Sequence, residues 1–256
     1  MANEAEELIP FIQHLAHESE KLILAYYRSH LTIEQKPDES PVTAADKQAE
    51  ELMRSLIEKD FPQHGIIGEE FGEDRPDAEF TWVLDPIDGT KSFIAGTPLF
   101  GTLIALCRNG TPLVGAINMP ALHELYIGTS EKTLCNGNQV RMREADSLSD
   151  CIVLSTDHYD VCNTRPAVQI DALASKTSFY RTWGDCYGYT LLASGFADIM
   201  VDPVLKSWDM MAVLPVIQGA GGKITSLEGG DPLQSNSLLA VHPAYHEEVL
   251  AILTGA

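Results

Sequence analysis

Basic residues are scarce: the chain has 17 Lys and Arg against 37 Asp and Glu, a formal net charge of −20. So large an excess repels a phosphate backbone, making nucleic acid or an anionic membrane surface a poor partner. Cysteine is sparse as well. The five present (Cys107, Cys135, Cys151, Cys162, Cys186) are odd in number and form no Cys-x-x-Cys pair. Neither a disulfide framework nor a zinc knuckle is expected, and most should be buried thiols. Although 45% of the residues are apolar, no run approaches the roughly 18 to 20 that would span a bilayer. The first seven residues are acidic and lack the basic and apolar regions of a signal peptide, so a cytoplasmic, globular protein is the expectation. No linker, repeat or low-complexity segment divides the chain.

The apolar spacing of Leu8, Phe11, Ile12, Leu15, Leu22 and Tyr26 predicts a long amphipathic helix over 4–29. Ala49, Leu52, Met53, Leu56 and Ile57 predict a second helix, with Thr43 as its N-cap. Short β-like runs follow at 66–67, 82–84, 99–106, 113–118 and 124–127, and Asn109-Gly110 signals an antiparallel hairpin. Beyond about residue 150, strands near 152–155 and 198–201 alternate with helices near 166–174, at 184–194 and after Trp208. The half spanning 1–150 therefore reads as α+β and the half spanning 151–256 as α/β, packed as one unit with a cleft between them.

The chemistry concentrates in Asp85-Pro86-Ile87-Asp88-Gly89-Thr90, which follows a strand and precedes a helical turn. Pro86 fixes the bend, Asp88 returns three residues after Asp85, and Gly89 permits close approach of backbone to a ligand. Two convergent carboxylates are hard oxygen ligands of the kind that suits magnesium, and amides opening the next turn suit phosphate oxygens. A plain Asp-Gly turn would place the same residues together. Other acids weigh against so simple a reading: Gly68-Glu69-Glu70 ends a strand and Trp208-Asp209 opens a helix, with Glu70 read as a solvated neighbour.

Val42-Thr43-Ala44-Ala45-Asp46, Gly68-Glu69-Glu70, Asp85-Pro86-Ile87-Asp88-Gly89-Thr90 and Trp208-Asp209 followed by Gly219-Ala220-Gly221-Gly222 resemble, in order and spacing, the motifs of the inositol-monophosphatase superfamily. The resemblance runs from about Lys36 to Lys223. It implies a layered αβαβα sandwich and a magnesium-dependent phosphomonoesterase holding two to three ions, commonly as a homodimer. Glu69, Asp85, Asp88, Asp209 and the Ile87 carbonyl would then ligate the ions. Asp46 and Thr90 would orient or deprotonate the attacking water, Thr90 passing a proton toward Asp46 or Glu69. Lys36 would sit near the metal and phosphate. Such a constellation suits the reaction, because an anionic phosphate ester resists attack until cations cover its oxygens and a water is poised in line. Each supporting residue also has a plainer reading: Asp46 as the acid of a helix capping box, and Lys36 as a solvated loop lysine.

Gly184-Asp185-Cys186-Tyr187 occupies the segment that meets the alcohol in inositol phosphatases, where a Gly-Thr-Ala-like sequence is usual. Asp185 here, and Asp202 seven residues before Asp209, place two acids at the leaving-group side, which suits a cationic alcohol. A helix N-terminal acid favoured by the macrodipole is the plainer reading of Asp185. Together with residues 88–106 and 192–196, this segment resembles the histidinol-phosphate phosphatases of the superfamily. The expected substrate contacts are Asp88, Gly89, Thr90, Gly184, Asp185, Cys186, Asp202 and Asp209, with Trp183 and Tyr187 as candidate walls. The alternatives are an inositol-monophosphate or broad sugar-phosphate phosphatase and, in a different class, a non-catalytic regulatory protein on the same scaffold. A nucleotide bisphosphatase would need a second basic cluster, which is missing. His242 and His246, four residues apart, read as surface residues rather than ligands.

Overall fold

The structure is a computed structural model describing residues 2–29, 33–36, 41–165 and 167–256. The helices are α1 (Ala2–Tyr26), α2 (Ala44–Asp60), α3 (Thr90–Ile94), α4 (His158–Thr164), α5 (Ile170–Lys176), α6 (Asp185–Ala193), α7 (Ser207–Gly219) and α8 (His246–Thr254). The strands of the first half are β1 (Ile33–Gln35), β2 (Pro41–Thr43), β3 (Gly65–Gly68), β4 (Gly72–Asp74), β5 (Phe80–Asp88), β6 (Gly101–Arg108), β7 (Thr111–Met119), β8 (Glu124–Gly128), β9 (Thr133–Cys135) and β10 (Asn138–Val140). Those of the second are β11 (Ile152–Leu154), β12 (Phe179–Arg181), β13 (Ile199–Asp202), β14 (Lys223–Thr225) and β15 (Leu238–Val241). An eight-stranded sheet runs β10-β9-β8-β7-β6-β5-β3-β4, antiparallel except for the β3–β5 pair, and a five-stranded mixed sheet runs β12-β11-β13-β15-β14.

Alternation along the strands creates the layers. Trp82, Leu84, Ile104 and Leu106 point to one face of the large sheet, where they meet Ile12 and Leu15 of α1 and Met53 and Ile57 of α2. Their neighbours Val83, Leu103 and Ala105 point to the other face, into a core shared with α6, α7 and the inner face of the small sheet through Leu154, Met200 and Ala240. Val153, Ile199, Val201 and Leu239 turn the opposite way and meet α5 and α8. The order helix, sheet, helix, sheet, helix is the αβαβα sandwich that the motifs implied. Helix α7 explains why the two sheets form one body. Its buried residues include Ala212, Val213, Leu214, Val216 and Ile217, apolar nearly all round, as a helix between two sheets must be.

Local signals account for most boundaries. Thr43 caps α2, and Asn109 (φ 50°) with Gly110 (φ 78°) makes the tight turn that puts Arg108 opposite Thr111. The same chemistry at Asn136 (φ 48°) and Gly137 (φ 81°) forms the β9–β10 hairpin, which the sequence reading passed over. Helix α1 lies two to three residues earlier than expected. In place of one helix over 166–174 the chain forms α4, capped by Asp157, and α5, which begins only at Ile170; Pro166 lies outside the described residues. Three of the cysteines are buried and two half-buried, all free. Among the described residues no helix is long and apolar enough to cross a membrane.

Candidate active site

Strand β5 ends in the acidic motif. The bend at Pro86 breaks the register with β6 between Asp85 and Asp88, and both acids face the same space at the C-terminal end of β5. Asp85 is buried and its Oδ1 accepts the Ile87 N–H at 3.0 Å, which turns the Asp85 side chain back over the motif. Gly89 takes φ 82° and starts α3; a Cβ there would lie 2.9 Å from the Leu99 carbonyl and 3.1 Å from Asp185 Oδ2. Across the cleft, the first turn of α7 delivers Asp209, whose Oδ2 accepts the Lys206 N–H at 2.7 Å. Carboxylate oxygens of Asp85, Asp88 and Asp209 come within 4.8 Å of one another, a donor set able to hold a divalent cation.

Burial, with Glu69, Asp88 and Asp209 close by, pushes Asp85 well above the ordinary carboxylate range. Burial and the charges of Asp185 and Asp209 do the same to Asp88, and burial pushes Asp209 up to about 7 despite the Lys206 N–H. These acids repel one another in a low-dielectric pocket. A bound cation relieves that repulsion, and hard oxygen donors at this separation fit magnesium.

Glu69 follows β3 and lies close enough to Asp85 to help raise its pKa. Lys36 donates to Glu69 Oε1 at 2.7 Å and to Glu70 Oε1 at 2.6 Å. Lys36 is thus a half-buried member of the site rather than a loop lysine in solvent. Burial disfavours its charge, but the hydrogen bonds it donates to Glu69 and Glu70 outweigh this and raise its pKa. Glu70 corrects the sequence reading: its side chain is only 3% exposed, and burial pushes it up to about 7 against the pull of Lys36. Asp46 is buried at the start of α2, where its Oδ2 accepts both the backbone N–H (2.8 Å) and the hydroxyl (2.6 Å) of Thr43. Its capping role is therefore real. Thr90 donates its hydroxyl to the Ile87 carbonyl at 3.0 Å.

The segment facing these acids comes from the second half. A Cβ on Gly184 would lie 2.1 Å from Thr156 Cα, so only glycine lets the chain pass at this point. Asp185 then adopts a left-handed conformation (φ 48°), and its N–H donates to Thr156 Oγ1 at 2.9 Å. The Cys186 N–H donates to Asp88 Oδ2, while its thiol turns inward against Met119. Cys186 thus enters the site through its backbone alone. Asp202 is 1% exposed, with Oδ1 accepting from the Thr156 N–H (3.2 Å) and hydroxyl (2.8 Å) and Oδ2 from Tyr189 at 2.7 Å. It buttresses Thr156 from the cleft wall instead of presenting a free carboxylate.

Two adjoining cavities meet at Asp185. One of about 300 Å³ is lined by Glu69, Thr90, Lys91 and Thr182, the other of about 120 Å³ by Asp88, Tyr189, Val204 and Asp209. Thr156, Asp157 and Asp160 border both. Sequence reasoning missed these last three because it missed α4; the only hint was an Asp placed to cap a short polar helix. Tyr189, not Tyr187 or Trp183, forms the aromatic wall. Burial and nearby Asp202 push Asp185 up to about 7, with Lys91 pulling the other way. Of the two spaced histidines, His242 caps a short turn, whereas His246 is buried with Nε2 2.9 Å from Thr225 Oγ1. It is a core residue, not a surface one.

Comparison with known proteins agrees with this architecture. The family model described as the inositol monophosphatase family matches residues 4–255. The chain is 41% identical over 210 residues, covering 81% of each protein, to a protein named histidinol-phosphatase from Chlorobaculum parvum. It is 33% identical to one of the same name from Mycobacterium tuberculosis, over 87% of this chain and 88% of that one. Among solved structures, an inositol monophosphatase from Zymomonas mobilis superposes with a TM-score of 0.87 at 36% identity, covering 97% of this chain and 98% of that one. These relatives are phosphatases of phosphate monoesters. The chain belongs to the inositol monophosphatase family.

Proposed function

We propose that this phosphomonoesterase acts on L-histidinol phosphate, releasing L-histidinol and inorganic phosphate with magnesium as its metal. The observation that carries the substrate reading is Asp185: a carboxylate inside the cleft, beside Gly89 and the acidic motif, where a neutral alcohol would need only a hydroxyl partner. Asp157 and Asp160 extend the same negative wall. An ammonium or imidazolium group on the alcohol offsets that charge; a polyol leaves it unpaired. The similarity to two proteins named histidinol-phosphatase supports the same choice.

In this reading Asp85, Asp88, Asp209, Glu69 and the Ile87 carbonyl hold the magnesium, which lowers the pKa of bound water and neutralises phosphoryl oxygens. Two to three ions are expected by analogy with the family. The chain's own residues do the rest. The backbone at Gly89 and Thr90 approaches the phosphate closely because residue 89 has no side chain. Thr90, anchored on the Ile87 carbonyl, keeps its oxygen lone pairs available to orient water. Lys36 holds the Glu69 carboxylate in place. Asp46, stationed by Thr43, contributes negative charge to the water side. Asp185 orients the leaving alcohol, with Asp202 and Thr156 fixing its backbone.

The rival reading is an inositol or broader sugar-phosphate specificity, which the solved inositol monophosphatase favours. Phosphate release from histidinol phosphate and inositol monophosphate, with and without magnesium, separates the two. Asn tolerates left-handed backbone, so Asp185→Asn removes the charge with little strain. It should lower kcat/KM for histidinol phosphate by about tenfold or more, the scale of a lost charged hydrogen bond, and change inositol monophosphate by less than about threefold. Equal losses on both substrates would sink the cation-recognition reading.

A further inference from the structure

Glu50 is completely buried on α2 and lies outside the acid cluster of the cleft. Its Oε2 accepts the Glu70 N–H at 2.7 Å; its Oε1 accepts the Phe71 N–H at 3.1 Å and Arg54 Nε at 2.7 Å. Arg54, one turn further along α2, also donates Nη2 to the Gly72 carbonyl. One face of α2 thus ties residues 70, 71 and 72, the turn that directly follows Glu69. The residue before Glu69 is constrained by the same group: a Cβ on Gly68 would lie 2.0 Å from Glu50 Oε1. Glu69 is bracketed on both sides.

A buried carboxylate costs several kcal/mol in lost solvation unless hydrogen bonds and an opposite charge compensate it. Here they do, and the groups supplying them belong to the turn that carries Glu69. The same helix starts with the Thr43–Asp46 capping box. A single rigid element therefore sets both the water-side acid and the Glu69 turn.

We infer that Glu50, backed by Arg54, is a positioning residue that holds the Glu69 turn against α2 and thereby sets the divalent-cation affinity of the site. Glu50 acts through Glu69 and touches neither metal nor substrate. The inference rests on the reading of Glu69 as a metal ligand, and its test does not depend on knowing the substrate.

The experiment titrates magnesium into the metal-free, full-length protein by calorimetry and follows amide hydrogen exchange at Glu70 and Phe71. The variants are Glu50→Gln, Arg54→Met and, as a control in the same helix, Ile57→Val. Gln offers one acceptor oxygen to three donors. Glu50→Gln should weaken magnesium binding by about tenfold, the lower end of what losing a ligand's supporting partner costs. Arg54→Met leaves both backbone bonds to the carboxylate and should weaken it by about threefold, which keeps the inference testable if Glu50→Gln folds poorly. Both should speed exchange at Glu70 and Phe71, and Glu50→Gln should regain turnover as magnesium is raised, with substrate KM at saturating metal unchanged. Ile57→Val should lower Tm without altering affinity. Unchanged magnesium affinity in Glu50→Gln and Arg54→Met would overturn the inference, as would losses no larger than the control's at matched Tm. A wild-type protein that binds no magnesium would overturn the metal reading and the affinity claim with it, while the exchange data would still report whether the clamp exists.

Discussion

The carboxylate of Asp88 accepts the backbone N–H of Cys186, 98 residues further along the chain. One oxygen of a candidate metal ligand at the end of the large sheet thus fixes the first turn of α6, which belongs to the second half and carries Asp185. Metal side and alcohol side are held together by this bond.

Replacing Asp88 separates its two duties. Asp88→Asn keeps an oxygen for the Cys186 N–H but removes the charge; Asp88→Ala removes both. The first should lower kcat by roughly a hundredfold or more while preserving the ratio of kcat/KM between histidinol phosphate and inositol monophosphate. The second should also blur that ratio and cost on the order of 1–3 kcal/mol, because it leaves a buried N–H unpaired. Steady-state kinetics on both esters with urea unfolding checks this; identical preference in the two variants would refute the coupling.

Stability should depend on pH in a direction set by the acid cluster. Burial pushes both Asp185 and Asp209 up to about 7 in the folded protein, whereas in the unfolded chain an Asp titrates near ~4. Between those values the folded state holds the extra proton, so this contribution is fully present below the unfolded pKa and is lost as pH rises toward 7. Asp209→Asn, measured without metal, should therefore melt higher than wild type at about pH 7.5, and the gap should close toward about pH 5. Magnesium at 100 times its Kd adds about 2.7 kcal/mol, or roughly 5–10 °C for a chain of this size, and should restore the wild type at the higher pH. Melting curves with EDTA and with magnesium supply the test. A gap that is constant with pH would contradict the assignment.

Gly184→Ala tests how tightly the alcohol side is built. The new methyl would collide with Thr156 backbone, Cα at 2.1 Å and N at 2.5 Å. Neither atom belongs to a flexible side chain, so the chain must shift, at a cost on the order of 1–3 kcal/mol as for other overpacked sites. Because Thr156 also anchors Asp185 and Asp202, kcat/KM for the cationic ester should fall more than tenfold even where the protein remains folded. Near-normal kinetics in a variant with unchanged Tm would show that the contact yields easily.

Much of this molecule was written in local sequence. The apolar run Trp82-Val83-Leu84 gave a strand, Asn109-Gly110 a hairpin, Thr43 with Asp46 a capping box, and Asp85-Pro86-Ile87-Asp88 a pair of convergent acids. Each depends on backbone preferences or side-chain period within a few residues, which a sequence displays directly. The ordered motifs also placed the chain in its family. What no local pattern contained was the partner of each polar group. Glu70 and Glu50 look like ordinary surface glutamates until the fold buries them. Asp202 looked free to meet a ligand until Tyr189 and Thr156 took its oxygens, and Asp157 and Asp160 gained meaning only when α4 was laid against the cleft. Burial and hydrogen bonding between residues tens of positions apart arise from packing two sheets about α7, and packing is a property of the assembled chain.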